Sequence, residues 1–471
     1  MLPTTLAAVA AVTGGRLHRA TGDERVTAVE FDTRAIGPGG LFVALPGERV
    51  DGHDFAAAAL GAGAAGVLAG REVDVPSVIA PPVPDRRTGS YLASTDPDGH
   101  GAAVLAALAR LAGHAVGQLP GCTVVGVTGS SGKTSTKDLL GAVLAALGET
   151  VAPPGSFNNE LGLPWTALRA GADTRHLVLE FSARGAGHIA ALAAAVPPRI
   201  GVVLNVGSAH LGEFGSPEAI AQAKGELVEA LDEDGVAVLN ADDPAVAAMG
   251  IRTRARVVLT GRHPNAHVRA EDVTVDAGRA RFTLVAPGGA APVALRLVGE
   301  HHVANALAAA AVALEVGGTV AGVATALSLA GPASKWRMEL TERPDGVTVV
   351  NDAYNANPES MRAALAALAS IGRGRRTWAV LGRIGELGAL SDSAHAQVAK
   401  DALDHGVDEL VAVGAPEYGA PRDAADVDAA LELLRAELRP GDVVLVKASR
   451  AAGLERLAAG LIDMAPLEGA R

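Results

Sequence analysis

Glycine, serine, lysine and threonine are concentrated in VVGVTGSSGKTSTKDLL, residues 124–140, and that mixture suits phosphate handling. A strand-like run leads into a glycine-rich turn, and a helix-like run follows it. Gly129 and Gly132 let the backbone approach phosphate oxygens, and the turn amides with the helix N-terminus supply donors. Lys133 offers a neutralising charge and Thr134 a hydroxyl for Mg²⁺. The nucleotide cradle is thereby predicted to comprise Thr128, Gly129, Ser130, Ser131, Gly132, Lys133, Thr134 and Ser135. It is a shortened form of the usual pattern, because Val127 stands where a first glycine is expected. A turn of this kind serves kinases, GTPases and ligases alike.

Further polar residues close or follow the next apolar runs. Glu180 ends HLVLEF, Asn205 and His210 lie in NVGSAHLGEFGS, and Lys224 sits within AIAQAKGELVEAL. Open α/β sheets place ligands at strand ends. A carboxylate there, beside a phosphate-binding turn, suits Mg²⁺. His210 has the chemistry of a second metal ligand, although strand-end histidines are more often structural. Lys224, between Gln222 and Glu226, would ordinarily be an exposed surface lysine.

The elements that must position these groups alternate. TVVGV (123–127), HLVLEF (176–181), RIGVVLNV (199–206) and GVAVLN (235–240) read as strands separated by helices, the rhythm of a parallel sheet covered on both faces. Residues 267–298 break the rhythm and read as an antiparallel addition, before a helix from His302 to Val316. VTVVNDAY (347–354), TWAVLG (377–382), ELVAVG (409–414) and VVLVKAS (443–449) form a second α/β unit, a doubly wound sheet. Residues 1–80 combine a short amphipathic helix with strands at Gly40–Ala44 and Gly66–Ala69. The expected architecture is three α/β domains: a smaller N-terminal one over 1–99, with a Pro- and Gly-rich linker at 81–99; a central P-loop parallel-sheet domain over 100–331; and a C-terminal Rossmann-like domain over 332–471.

The net charge of −12 argues against nucleic acid or an anionic membrane as partner. Cys122 is the only cysteine, so no intrachain disulfide forms and a reducing cytoplasm fits. No segment reads as a membrane span or a signal peptide, and nothing demands more than a monomer.

The ordered set TGSSGKTS (128–135), FNNELGLP (157–164), Glu180, NVGSAHLGEFGS (205–216), AKGELV (223–228), NADDP (240–244), GEHHVANALAAAA (299–311), SKWRMEL (334–340), NDAYNANPESM (351–361) and VKASR (446–450) resembles the Mur ligase family along nearly the whole chain. FDTRAIGPGGLFVALPGERVDGHDF (31–55) resembles that family's UDP-sugar-binding domain. The resemblance implies an ATP-dependent amide ligase that adds D-alanyl-D-alanine to a UDP-linked muramoyl tripeptide through an acyl phosphate. It implies two Mg²⁺ sites, drawing on Thr134, Glu180, His210 and Lys224, and reaction of Lys224 with CO₂ to give a carbamate. With Lys133, these are the expected catalytic residues. His301 and Asn305 match the adenine side, and Arg337 and Asp352 match groups that hold ATP from the C-terminal domain. Asn158, Asn159, Tyr354, Asn355, Asn357, Lys447 and Ser449 are implied in substrate binding near the reacting groups. Asp32, Thr33, Arg34, Gly47, Asp51 and His53 are implied at the UDP end, although spacing alone reads Asp32-Thr33-Arg34 as a turn with a solvated salt bridge.

The chain departs from the family pattern at Gly382–Gly388, where Arg383 replaces an acid near the expected acceptor pocket, and at Phe181-Ser182-Ala183-Arg184. These departures leave open a paralogue that joins a different amino acid or dipeptide to another carboxylate. A non-catalytic nucleotide-binding scaffold is the reading from outside the enzyme class.

Overall fold

In a computed structural model, the structure describes residues 1–84, 92, 95–207 and 211–465. Three α/β domains follow one another, each with its own sheet. The first begins with the helix Leu6–Thr13, which buries Leu6, Val9, Ala10 and Thr13 on one face. Thr5 caps its start, accepting from the Ala8 amide at 3.3 Å, and Gly14 ends it in the left-handed region at φ 68°. The segment is helical as expected, but its exposed positions Ala7, Ala8 and Ala11 are alanines, so the buried face has no polar face opposite it. Behind it lies a five-stranded sheet that includes Gly40–Val43 and Ala64–Ala69.

Much of the 81–99 linker lies outside the described residues. Of what is described there, Leu92 is buried, and Asp96 accepts from the Gly101 and Ala102 amides at the start of the helix His100–Gly117. That helix packs against both Leu6–Thr13 and Gly162–Ala167, so the apolar core runs from the first domain into the second. Trp165 strengthens the joint, donating to the Val29 carbonyl at 3.0 Å and lying edge-on to Phe31.

The central sheet has nine strands. Thr123–Thr128 is an interior strand, third from one edge, flanked in parallel by His176–Glu180 and Ile200–Val203, with Val236–Asn240 next. Thr123–Thr128 and its two neighbours are buried apart from Thr123 at the start, as apolar runs covered on both faces must be. Val268–Asp276, Arg279–Ala286 and Gly289–Val298 extend the same sheet as antiparallel hairpins. The run RIGVVLNV is shorter as a strand than its sequence suggests. It stops at Val203 because Asn205 turns its polar groups to the phosphate-binding turn.

The C-terminal sheet has six strands, with Val443–Lys447 between Thr348–Asp352 and Thr377–Gly382. One face packs against the helices Pro358–Ile371 and Ser391–Asp404, the other against Val427–Glu437 and Glu455–Ile462. The sheet is therefore doubly wound. Sequence patterning missed its two edges: the antiparallel Glu339–Glu342 and the short Arg422–Ala424. Both are brief and polar, and carry little periodic signal.

Candidate active site

The strand Thr123–Thr128 delivers the chain to Gly129, and the helix Lys133–Ala145 begins directly after Gly132. Gly132 has φ +80°, and a Cβ there would meet Asn305 Oδ1 at 2.7 Å, so the turn needs glycine for both conformation and space. The turn is held from behind. Asn205 accepts from the Ser131 amide at 2.9 Å and donates to its carbonyl at 3.2 Å, while its own carbonyl accepts from the Ser130 amide at 3.1 Å. The loop carrying Asn205 is fixed in turn: Asp243 accepts from the Val206 amide, and Asn240 donates to the Leu204 carbonyl. Lys133 folds onto the turn, donating to the Gly129 carbonyl at 2.6 Å.

Glu180 ends its strand beside this turn and is fully buried. Its Oε2 accepts from Thr134 Oγ1 at 3.3 Å, Ser156 Oγ at 3.3 Å and Asn158 Nδ2 at 3.4 Å. Its Oε1 is buried with no hydrogen-bond partner. Burial pushes the carboxyl pKa up, against the opposing pull of Lys137, Lys133 and Arg337. A buried acceptor of this kind beside a threonine hydroxyl fits a hard cation. Among the described residues, no three His, Cys, Asp or Glu side chains are grouped to cage a metal. One carboxylate, one hydroxyl and nucleotide phosphates suit Mg²⁺ better than a cage of protein ligands. His210 lies outside the described residues.

The C-terminal domain closes the other side. Arg337 donates to Thr134 Oγ1 at 2.9 Å, its guanidinium lies 4.2 Å over the Tyr354 ring, and its Nε is buried without a partner. Asp352 accepts from the Met338 amide at 3.1 Å and from Lys447 at 2.6 Å; Lys447 also donates to the Asn355 carbonyl. Asn357 caps the helix Pro358–Ile371 and donates to the Ser130 carbonyl at 3.4 Å. Between the two domains is a cleft of about 630 Å³. It is lined by Ser130–Ser135, Asn158, Asn159, His301, Asn305, Arg337, Asp352, Tyr354, Asn355, Asn357 and Lys447. Thr128, Gly129 and Glu180 stand just behind this surface, and Ser449 supports it by accepting from the Gly385 amide at 2.8 Å. Asn159 also has a local duty, capping the short helix Gly162–Ala167 through the Leu161 and Gly162 amides.

Lys224 is not a surface lysine. It is buried on the helix Pro217–Glu229. Burial, then the nearby charge of Lys133, push its ammonium pKa well down, which favours the neutral amine. Its neighbour Glu226 caps the helix His188–Ala195 through the Gly187 and Ala190 amides.

The residues assigned to the UDP end lie in the first domain, and none of them lines this cleft. Arg34 pairs with Asp32 at 2.7 Å, and that pairing lowers the Asp32 pKa to about 2. Thr33 lies between them, partly exposed. His53 is buried, with Nδ1 2.6 Å from Asp51 and Nε2 accepting from the Gly70 amide at 3.0 Å. Gly47 turns the chain, donating to the Val50 carbonyl.

Arg383 does not enter the cleft either. It is exposed, pairs with Glu417 at 2.9 Å, and stands two residues before Gly385, which does line the cleft. Sequence reading missed Ser156 and Asp243, polar anchors to Glu180 and the Val206 amide, and Lys137, buried one turn beyond Lys133. Ser156 stands immediately before FNNELGLP, and Asp243 lies inside NADDP, so proximity to those motifs was the available signal.

Comparison with known proteins agrees with this geometry. The Mur ligase middle-domain model matches residues 127–313, the Mur ligase glutamate ligase domain 336–450, and the Mur ligase family catalytic domain 25–116. A UDP-N-acetylmuramoyl-tripeptide--D-alanyl-D-alanine ligase of Mycobacterium tuberculosis is 54% identical, over 98% of each chain. The structure of MurF from Acinetobacter baumannii superposes with a TM-score of 0.85 at 29% identity, covering 98% of this chain and 99% of that one. MurF ligase from Thermotoga maritima, in complex with ADP, superposes at 0.75 with 30% identity, over 92% and 97%.

Proposed function

The chain belongs to the Mur ligase family, and from that membership we propose that it joins D-alanyl-D-alanine to UDP-N-acetylmuramoyl-tripeptide, with ATP converted to ADP and phosphate. The observation that supports this best is the convergence of Lys133 and Thr134, backed by Glu180, from one domain with Arg337 and Asp352 from another on a single cleft.

The tripeptide's terminal carboxylate attacks the ATP γ-phosphorus in line, forming an acyl phosphate and releasing ADP. Lys133 and the turn amides offset charge on the transferring group, and Arg337 adds a guanidinium from the far side. Mg²⁺, when held at Thr134 and Glu180, supplies further charge neutralisation on the phosphates. The amine of D-alanyl-D-alanine then attacks the activated carbonyl carbon, its proton is lost, and phosphate leaves. Closure between the domains keeps water from the acyl phosphate. We assign His301 and Asn305 to the adenine side, and Asn158, Asn159, Tyr354, Asn355, Asn357, Lys447 and Ser449 to substrate. We assign the first-domain set Asp32, Thr33, Arg34, Gly47, Asp51 and His53 to the UDP end.

Lys224 is assigned the carbamate. Its amine must be neutral to attack CO₂, forming an N–C bond and losing a proton, and its burial supports that state. The resulting anion would serve the metal and phosphate region, where His210 is assigned to a second Mg²⁺.

We read the protein as working as a monomer. Among the described residues no helix is long and apolar enough to cross a membrane. ATP and a UDP-linked substrate point to cytoplasmic work. Phosphate release from ATP and UDP-muramoyl tripeptide, with D-alanyl-D-alanine or a panel of other amines, tests the function. Release sustained by D-alanyl-D-alanine is expected; release only with another amine means a ligase of different specificity.

A further inference from the structure

The segment that carries Arg337 into the cleft is itself held on the P-loop helix, one turn beyond Thr134. Asp138 Oδ2 accepts from the Ser334 backbone amide at 3.0 Å. Lys137 pairs with Asp138, donates to the Pro153 carbonyl at 2.9 Å and reaches Ser334 Oγ at 3.5 Å. Thr134 and Asp138 are four residues apart, so they project from the same helix face. That face grips the incoming chain twice, at Ser334 and at Arg337.

The gripped segment is strained. Trp336 has φ 59° and Met338 φ 49°, left-handed values that non-glycine residues rarely adopt, and they flank Arg337 on both sides. The C-terminal domain holds these two residues: the Trp336 carbonyl accepts from the Tyr354 amide at 3.2 Å, Arg450 lies 4.3 Å over the Trp336 ring, and the Met338 amide donates to Asp352. The backbone around Arg337 is therefore pinned by both domains at once.

We propose that Asp138, fixed by Lys137, is a positioning residue. It clasps the interdomain segment at Ser334, and so sets the domain closure that delivers Arg337 to the nucleotide phosphates. The proposal deepens the ligase reading and rests on it for the role of Arg337. The clasp itself is a structural statement that can be tested apart from turnover.

The test uses the full chain with Cys122→Ser and spin labels at Ile251→Cys and Leu403→Cys, positions 93% and 70% exposed in the central and C-terminal domains. Double electron–electron resonance then reports the distance between the domains. Asp138→Ala removes the acceptor. Ser334→Pro removes the donor, lies on a partly exposed loop, and leaves the buried Lys137–Asp138 pair whole, so it decides the matter if the first variant misfolds. Both are expected to broaden a narrow parental distribution. Turnover should fall about tenfold through kcat, with KM for the UDP-linked substrate unchanged, because mispositioning acts on the chemical step. A folded variant with the parental distribution overturns the clasp, and so does a parent already as broad as its variants. A parent that never releases phosphate defeats the ligase reading instead, and the distances still judge the clasp.

Discussion

The interdomain cleft and the first-domain set around Asp32 and His53 both gather polar residues, yet they use them differently. In the cleft, contacts run between residues far apart in the chain, as with Arg337 and Thr134 or Asn357 and Ser130, and some buried atoms such as Glu180 Oε1 and Arg337 Nε have no partner. On the first domain, partners are close and satisfied: Asp32 holds Arg34 two residues on, and both ring nitrogens of His53 are engaged. Unsatisfied buried groups mark a place built for something else to complete it. A locally satisfied cluster either holds structure or must be opened by its ligand.

The largest expected contrast is at Lys133. Lys133→Ala should lower ligation-linked phosphate release by roughly 10³-fold, while the thermal midpoint moves little. Retained turnover would put the phosphoryl chemistry elsewhere. Lys224→Ala should lower turnover by about 10²-fold, with partial recovery on adding a short carboxylic acid. Unchanged turnover removes the carbamate. On the first domain the effect should change kind. His53→Ala leaves the Gly70 amide and Asp51 without their buried partner and should cost about 1–3 kcal/mol of stability by denaturant titration. A neutral result would mean that water replaces the ring. Asp32→Ala should raise KM for the UDP-linked substrate and leave kcat near its parental value; a fall in kcat alone would move Asp32 out of the binding surface.

The smallest effect is electrostatic. Asp32 titrates at about 2 in the folded chain, below the ordinary carboxylate value, because Arg34 stabilises the charged form. Its pairing therefore favours the fold above the unfolded carboxylate pKa, and that contribution is lost as pH falls through about 2. Arg34→Ala should return the Asp32 titration toward the ordinary range when followed by NMR. An unmoved titration would mean another cation holds it.

Much of this was legible in the chain. The buried strand before Gly129 and the helix after Lys133 were readable because apolar runs and glycine spacing are local signals. The burial of Lys224 was not, since a lysine with the polar Gln222 and Glu226 two residues to either side reads as exposed, and only the fold turns that stretch of helix inward. The direction of Arg383 was not legible either: its motif neighbours Gly385 and Glu386 line the cleft while its own side chain turns out to Glu417. The clasp at Ser334 joins residues 196 positions apart, a distance no local pattern spans.

The central claim is that the cleft activates a carboxylate by phosphoryl transfer, and an isotope label tests it most directly. Tripeptide substrate carrying ¹⁸O in its terminal carboxylate is turned over with ATP and D-alanyl-D-alanine, and the released phosphate is examined by mass spectrometry. One labelled oxygen carried from the carboxylate into phosphate is the predicted result. Phosphate free of label, formed alongside the amide product, would contradict it.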